Sequence, residues 1–321
     1  MRRFIAARLA SSAIIIVIVT MVSFVLLHLT PGDPFGYESV NVPPAVRAVW
    51  REQFGYGRPI PVQLWKYLTN VARGDFGYSI AQHRPAIDAV SDALPRTLTL
   101  AIVGLAIAIV VGVAAGVFAG ARRFSWWDRL ITGGCVLVNS IPDFWLALIL
   151  QMGLAFGLGL FPITGTADPL IAEYGSGWNA FTDRLWHLAL PALSAAILIA
   201  AIIARFQRAA ILDVLPSDYL RTARAKGATE RVVIGRHALR NALTPTITII
   251  GYLFPTILGG LFFIEYVFGW GGLGELTVIS VQSLDYDVAT ACVIVAGILV
   301  VVGNLLADLL VALADPRVRD A

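Results

Sequence analysis

The sequence predicts an all-α polytopic membrane protein. It has six transmembrane helices, both termini on the cytoplasmic side, a structured outer loop and a pair of short inner-face helices. Three observations predict this. Of 321 residues, 58% are hydrophobic and only 14% charged, where soluble domains carry about 25% charged residues, and the mean hydropathy is +0.77. The apolar residues gather in blocks of about 20, which suits roughly 30 Å of bilayer hydrocarbon. The basic residues are concentrated in alternate loops, as an oriented multi-span chain requires.

The blocks run over 9–29, 97–120, 130–160, 188–211, 246–268 and 288–313. The third contains Pro142 and is expected to be tilted or bent. The first follows Met1-Arg2-Arg3. Its apolar stretch is too long for a secretory signal, and no small-residue cleavage site follows it, so it reads as a retained helix. With the N-terminus inside, the inner segments hold sixteen of the 24 basic residues, eight of them between Arg205 and Arg240. Most of the others, such as Arg47, Arg51 and Arg58, sit in an outer loop too long for its charge to set orientation. The whole chain, 1–321, reads as a single transmembrane domain with an outer cap loop over 30–96 and a cytoplasmic loop over 212–245.

The outer loop has turn chemistry at Pro31-Gly32-Asp33-Pro34 and Pro43-Pro44. Two short amphipathic helices are expected over 45–54 and 62–72, and Trp50, Phe54 and Trp65 are expected to be buried in a structured cap. Cys135 and Cys292 lie in apolar blocks and read as small buried hydrophobes. Gly112, Gly116 and Gly120, and likewise Gly153 and Gly157, recur every four residues. Such small-residue stripes are helix contact faces within a membrane.

The inner loop carries the most local information. Pro216-Ser217-Asp218 is a stop followed by an N-cap. A helix over 219–226 can then end at Gly227 in left-handed C-cap geometry, with Arg224 and Lys226 against the negative end of its dipole. Thr229 can cap a second helix over 230–241, which Pro245 is expected to limit. A basic loop on anionic headgroups is the plainer reading. A capped bend of fixed shape favours a protein partner, and so do Ala223 and Ala225 beside Gly227, which make a thin helix able to enter a groove.

Within the spans, Asn139 and Asp143 are four apart and are expected to share a helix face near mid-membrane, bordering a solute path. Asp308 lies near the inner end of its span and reads as structural. Gly269-x-Gly271-Gly272-x-Gly274 satisfies a dinucleotide-binding pattern but follows a helical span rather than a strand, so it is set aside. Gly77-Tyr78-Ser79-Ile80-Ala81 lacks the second glycine of a hydrolase elbow. The four histidines have no ligand spacing, so no metal site is expected. The two lysines, Lys66 and Lys226, lie in no phosphate-binding loop, so any nucleotide must be bound by another chain. An ion-gradient-driven secondary transporter is the main rival, but such proteins show internal repeats and paired broken helices, and the sequence shows neither. An intramembrane enzyme would need more than one central ionisable group.

The inner loop resembles the coupling loop of ABC importer permeases. Ala223, Gly227 and Leu239 match the general pattern. The variants Asp218-Tyr219-x-Arg221-Thr222-Ala223-Arg224-Ala225-Lys226-Gly227 and His237-Ala238-Leu239-x-Asn241-Ala242-Leu243-x-Pro245 are those of the dipeptide/oligopeptide/nickel branch. The resemblance, to that branch's B-type subunit, covers nearly the whole chain. It includes Leu29-Thr30-Pro31-Gly32-Asp33-Pro34, Arg73-Gly74-Asp75-Phe76-Gly77-Tyr78-Ser79, Ser140-Ile141-Pro142-Asp143-Phe144-Trp145, Glu265-Tyr266-Val267-Phe268, Gly272-Leu273-Gly274, Asp285-Tyr286, Asp308-Leu309-Leu310 and Asp315-Pro316-Arg317-Val318-Arg319. At Asp143 the branch more often has a small polar residue. The resemblance implies a permease subunit of an ATP-driven importer in the bacterial plasma (inner) membrane. It implies a second permease chain, two cytoplasmic ATPases that bind ATP and magnesium, and an extracytoplasmic solute-binding protein. This chain would hold no cofactor and be no enzyme. Short peptides are the implied cargo, with nickel chelates or glutathione the alternative. ATPase coupling is implied for Asp218, Tyr219, Arg221, Thr222, Ala223, Arg224, Ala225, Lys226, Gly227, His237 and Asn241.

Overall fold

Helices dominate because a chain this apolar must satisfy its backbone hydrogen bonds within each segment when it leaves water. The computed structural model describes residues 2–29, 49, 52 and 57–314. Their elements are α1 (Arg2–Leu29), α2 (Ile60–Val71), a two-residue hairpin of β1 (Tyr78–Ser79) and β2 (Arg84–Pro85), α3 (Ala86–Ala121), α4 (Trp126–Asn139), α5 (Asp143–Gly157), α6 (Pro169–Tyr174), α7 (Gly177–Val214), α8 (Asp218–Ala225), α9 (Glu230–Val232), α10 (Leu239–Phe268), α11 (Leu273–Gln282) and α12 (Tyr286–Ala314). A π-helical turn, Val233–Ala238, joins α9 to α10, and another, Gln151–Gly157, ends α5.

Five helices are each long and apolar enough to cross a membrane: α1, α3, α7, the run from α9 into α10, and α12. Two further pairs pass together but are sharply bent, α4 with α5 by 108° and the end of α10 with α11 by 75°. The candidate spans therefore number five to seven, and the six-span expectation falls within that range. The α4–α5 pair bears out the bend expected at Pro142 in the third span, and the bend is sharp enough to divide it into two helices. Proline removes a backbone donor and pushes the preceding residue out of helical geometry. Pro142 accordingly stands at φ −58, ψ 141 as the N-cap of α5.

Pro245 does the opposite of what was expected. The helix passes through it, and through Pro255, to Phe268. A helix that stops in apolar surroundings leaves several backbone groups unsatisfied, whereas an internal proline forfeits about one bond. The second inner-face helix is thus not a separate short element but the root of a span.

The chain falls into two compact units, Met1–Leu98 with Trp270–Val301, and Thr99–Gly269 with Val302–Ala321. In the first, Ala86, Val90 and Ala93 of α3 pack on Val288, Ala291 and Cys292 of α12 with Leu273. Phe24 of α1, Tyr67 of α2 and Ile294 form a second cluster, in which His28 stacks on Phe24 at 3.8 Å. Trp65, expected to be buried, is 71% exposed; α2 turns Tyr67, with Leu64 and Ile60, inward instead. Burial pushes the Tyr67 phenol well above the usual tyrosine range. The helix expected over 45–54, with Trp50 and Phe54, lies outside the described residues except at Val49 and Glu52. So do the turns at 31–34 and 43–44 and the motif over 315–319.

In the second unit the glycines of α3 meet α7. A Cβ at Gly112 would stand 2.7 Å from Ile203 Cβ and 2.8 Å from the Ala200 carbonyl oxygen. At Gly116 it would stand 2.6 Å from the Ala204 carbonyl oxygen and 2.7 Å from Gln207 Cβ, and at Gly120 2.8 Å from Ile211 Cγ2. Four-residue spacing keeps all three on one helix face. Gly153 and Gly157 make no such contact among the described residues of this chain: nothing surrounds Gly153, and Gly157 meets only the Met152 carbonyl of its own helix. Both lie in the π turn, whose altered period breaks the stripe. Overpacking a close contact costs about 1–3 kcal/mol. Gly116→Ile is therefore expected to lower the melting temperature of the purified protein markedly, while Gly133→Ile, with nothing near its Cβ position, leaves it nearly unchanged.

Candidate functional site

The inner-face bend is built from the end of α7 outward. Ser217 takes up extended backbone geometry before α8, but its Oγ donates to the Val214 carbonyl at 2.6 Å instead of capping the new helix. This ties the turn back to α7. Leu220 is 0% exposed and packs with Ala210, Ile211, Val233, Ala238 and Ala242. The α8 helix is therefore seated on α7 and on the root of α10 by one fully buried leucine. Such burial stabilises by about 1.5–3 kcal/mol.

Gly227 ends α8 at φ +83, and its N–H donates to the Arg224 carbonyl at 2.9 Å, while that of Ala228 donates to Ala223 at 3.2 Å. Across the bend, Arg224 donates from Nη2 to Glu230 Oε1 at 2.9 Å and from Nε to Glu230 Oε2 at 3.1 Å. This two-pronged pair bridges α8 and α9, and lying exposed to water it adds little to the stability of the fold. The Asp218–Arg221 pair, 3.2 Å apart on the exposed face, is weaker still.

Asp218, Tyr219, Arg221, Thr222, Arg224, Ala225 and Lys226 all face outward, and Gly227 lies exposed beside them. Ala223 does not join Ala225 on that surface; it packs against the Leu220 cluster. Arg224 spends its guanidinium on Glu230 rather than on the helix dipole alone. Thr229 stands at the N-cap of α9 without a side-chain bond to it. His237 is half-buried in the π turn and Asn241 is exposed on α10. Glu230 was missed; an acid six residues beyond Arg224, across a left-handed glycine, was the available signal.

The pairing expected of Asn139 and Asp143 is not found on one helix face. Asn139 ends α4 and Asp143 begins α5, on either side of the 108° break. Asp143 Oδ1 accepts from the Phe144 N–H at 2.9 Å, at the helix end whose dipole favours an anion. A second acid was also missed. Asp128 of α4, 3% exposed, accepts from Arg208 Nε at 2.5 Å and Nη2 at 2.9 Å, and from the Phe124 N–H at 2.9 Å. The capping pattern Ser125-x-x-Asp128 foretells the helix start, and the Asp128 N–H does donate to Ser125 Oγ at 3.2 Å. It does not foretell the arginine. Removing one partner of a buried pair costs on the order of 3 kcal/mol. Asp128→Asn is expected to lower thermal stability and loosen α4 from α7, seen as faster amide exchange in α4.

In the first unit, two motifs far apart in the chain come together. Ser79 Oγ donates to Asp285 Oδ2 at 2.5 Å, and the Tyr78 N–H donates to Asp287 Oδ2 at 3.0 Å. Gly77 suits this turn because its backbone is left-handed, φ +87, and an added Cβ would displace the Asp287 carboxylate. Burial pushes the Asp285 carboxyl up, opposed by its bonds to Ser79 and Ala81.

Long apolar helices, two sharply bent pairs and an outward-facing bend after a left-handed glycine are the features of a polytopic membrane component. Residues 112–320 match the family described as binding-protein-dependent transport system inner membrane component, and residues 1–101 match the N-terminal membrane component of the same systems. The chain belongs to this family, so it is an inner-membrane component of a binding-protein-dependent transport system, and the ion-gradient rival gives way. It is 41% identical over 324 residues to the oligopeptide transport system permease protein AppB of Bacillus subtilis, covering 99% of this chain and 100% of that one. It is 36% identical over 322 residues to the glutathione transport system permease protein GsiC of Escherichia coli K12, covering 99% of each. Among solved structures, a chain of the MetNI methionine ABC transporter, in its inward-facing conformations, superposes with a TM-score of 0.56 at 19% identity. It covers 71% of this chain and 97% of that one, a likeness of fold.

Proposed function

We propose that this chain is a permease subunit of an ATP-driven importer of short peptides, and that the α8–α9 bend is where a cytoplasmic ATPase drives it. The cargo reading rests on the full-length similarity to AppB. The similarity to GsiC supports the alternative cargo, glutathione, at lower identity. A second permease chain completes the pathway, an external binding protein delivers solute, and ATP and magnesium are held by the ATPases. The inner face is the one that carries Arg221, Arg224, Lys226, Arg231 and Arg236, following the basic-inside rule.

The observation that carries the coupling role is the stiffness of the bend. Leu220 anchors it, Gly227 turns it and the Arg224–Glu230 pair braces it. The exposed side chains of α8, from Asp218 to Lys226, face the ATPase, with His237 and Asn241 at the root of the span. A rigid element passes a displacement to α7 and α10 that a loose loop would absorb, and such displacements drive two-state rocking between access states. Asn139 and Asp143, flanking the break between α4 and α5, are assigned to the solute path, where Asp143 would meet a peptide ammonium group. Asp143→Leu is expected to slow uptake of peptides with a free amino terminus more than of N-acetylated ones; equal uptake of both at the native rate defeats that assignment.

Nothing lies near the Cβ position of Gly227, so a substitution there acts through the backbone alone. A β-branched residue in left-handed geometry costs about 1–2 kcal/mol. Gly227→Val is expected to leave the complex assembled while lowering solute-stimulated ATP hydrolysis and uptake in proteoliposomes together. Unchanged uptake and stimulation would refute the coupling role.

A further inference from the structure

In the second unit, an apolar groove of about 880 Å³ opens between the last turns of α3 and the segment that leads from the bend into α10. Ile109, Val113 and Val117 line one wall, and Ile234, Leu239 and Leu243 the other. The groove is polarised along its length. Its apolar end reaches Ile109 and Leu243, while Arg122 and Arg231 stand at the opposite end. From residue 109 to 121 an α-helix rises about 18 Å, close to one leaflet's share, about 15 Å, of the hydrocarbon.

The charged end is prepared for an anion. The Arg122 guanidinium lies 3.9 Å above the Phe118 ring, which holds it over the mouth. Among the described residues neither Arg122 nor Arg231 has a carboxylate within ion-pair distance. Glu230 also borders the mouth, but Arg224 occupies both of its oxygens. The net charge offered at the mouth is positive. At Gly235, in the π turn, nothing lies within 4 Å of the Cβ position, so the groove stays open where a side chain would narrow it.

We infer that this groove is a binding site for one anionic phospholipid, with an acyl chain along α3 and the phosphate between Arg122 and Arg231. Basic pockets between spans at the inner membrane surface suit such headgroups, and the length and polarity of the groove match one leaflet. The site uses the family's span assignment but not the coupling role of the bend, and its test reads lipid, not transport.

The full-length protein, in its complex, is reconstituted in bilayers of three parts phosphatidylethanolamine to one part phosphatidylglycerol, extracted in mild detergent, and its retained lipids are counted by native mass spectrometry. The native protein is expected to keep phosphatidylglycerol well beyond its share of the bilayer. Gly235→Trp, which fills the groove, and the double variant Arg122→Gln/Arg231→Gln are each expected to lose that excess, while Arg184→Gln keeps it. If Gly235→Trp does not fold, as its melting curve will show, the arginine double variant decides alone. Retention that mirrors the bilayer composition in the native protein overturns the proposal, as does an excess that survives in the double variant. So does a Gly235→Cys variant that crosslinks in high yield to a second permease chain, because the groove would then be filled by protein.

Discussion

How closely α3 approaches α7 decides where everything beyond α7 can stand. Gly112, Gly116 and Gly120 put no side chain of α3 in the way, so its backbone lies directly against the backbone and the Cβ atoms of α7. In an apolar medium such association depends on van der Waals fit rather than on the expulsion of water, so the missing side chains are the means of attraction. The last contact, at Gly120, falls on Ile211. Ile211 is in turn part of the cluster that buries Leu220 of α8. One packed path therefore runs from a glycine stripe within a span to the bend outside it.

Two ion pairs divide the electrostatic work differently. Asp128 and Arg208 meet where Asp128 is almost wholly buried, so their bond ties α4 to α7 and would be costly to break. Arg208 occupies the same stretch of α7 whose backbone Gly116 and Gly120 touch, so three helices converge on it. Arg224 and Glu230 meet near water, where the pair contributes little free energy. The first pair ties two spans together, and the second bridges the two short helices of the bend.

Much of this was legible in the sequence, because the signals concerned are local. Hydropathy blocks mark the spans, and capping residues mark α8 and its left-handed end at Gly227. What was not legible depends on contacts between distant segments. Pro142 and Pro245 are the same residue with opposite outcomes. Pro142 is followed by Asp143, which suits the first turn of a new helix, so the chain breaks there and turns by 108°. Pro245 stands among residues already held in helix, with Ala242 and Thr246 buried, so the chain continues. The partners of Asp128 and Asp285 were hidden, since no spacing rule pairs Asp128 with an arginine 80 residues away or Asp285 with a serine 206 residues away. The inward turn of α2 exposed Trp65 in favour of Tyr67, which a count of apolar residues alone does not foresee.

The central claim is that the bend moves with α7 as one body. The most direct test is a spin-label distance between Thr222 on α8 and Leu185 near the start of α7, both exposed. It should be measured by double electron–electron resonance in the assembled transporter with and without a non-hydrolysable ATP analogue. The account predicts one narrow distance distribution that is the same in both states, even as distances from Thr222 to the second permease chain change. A broad distribution, or one that shifts when nucleotide binds, would contradict it.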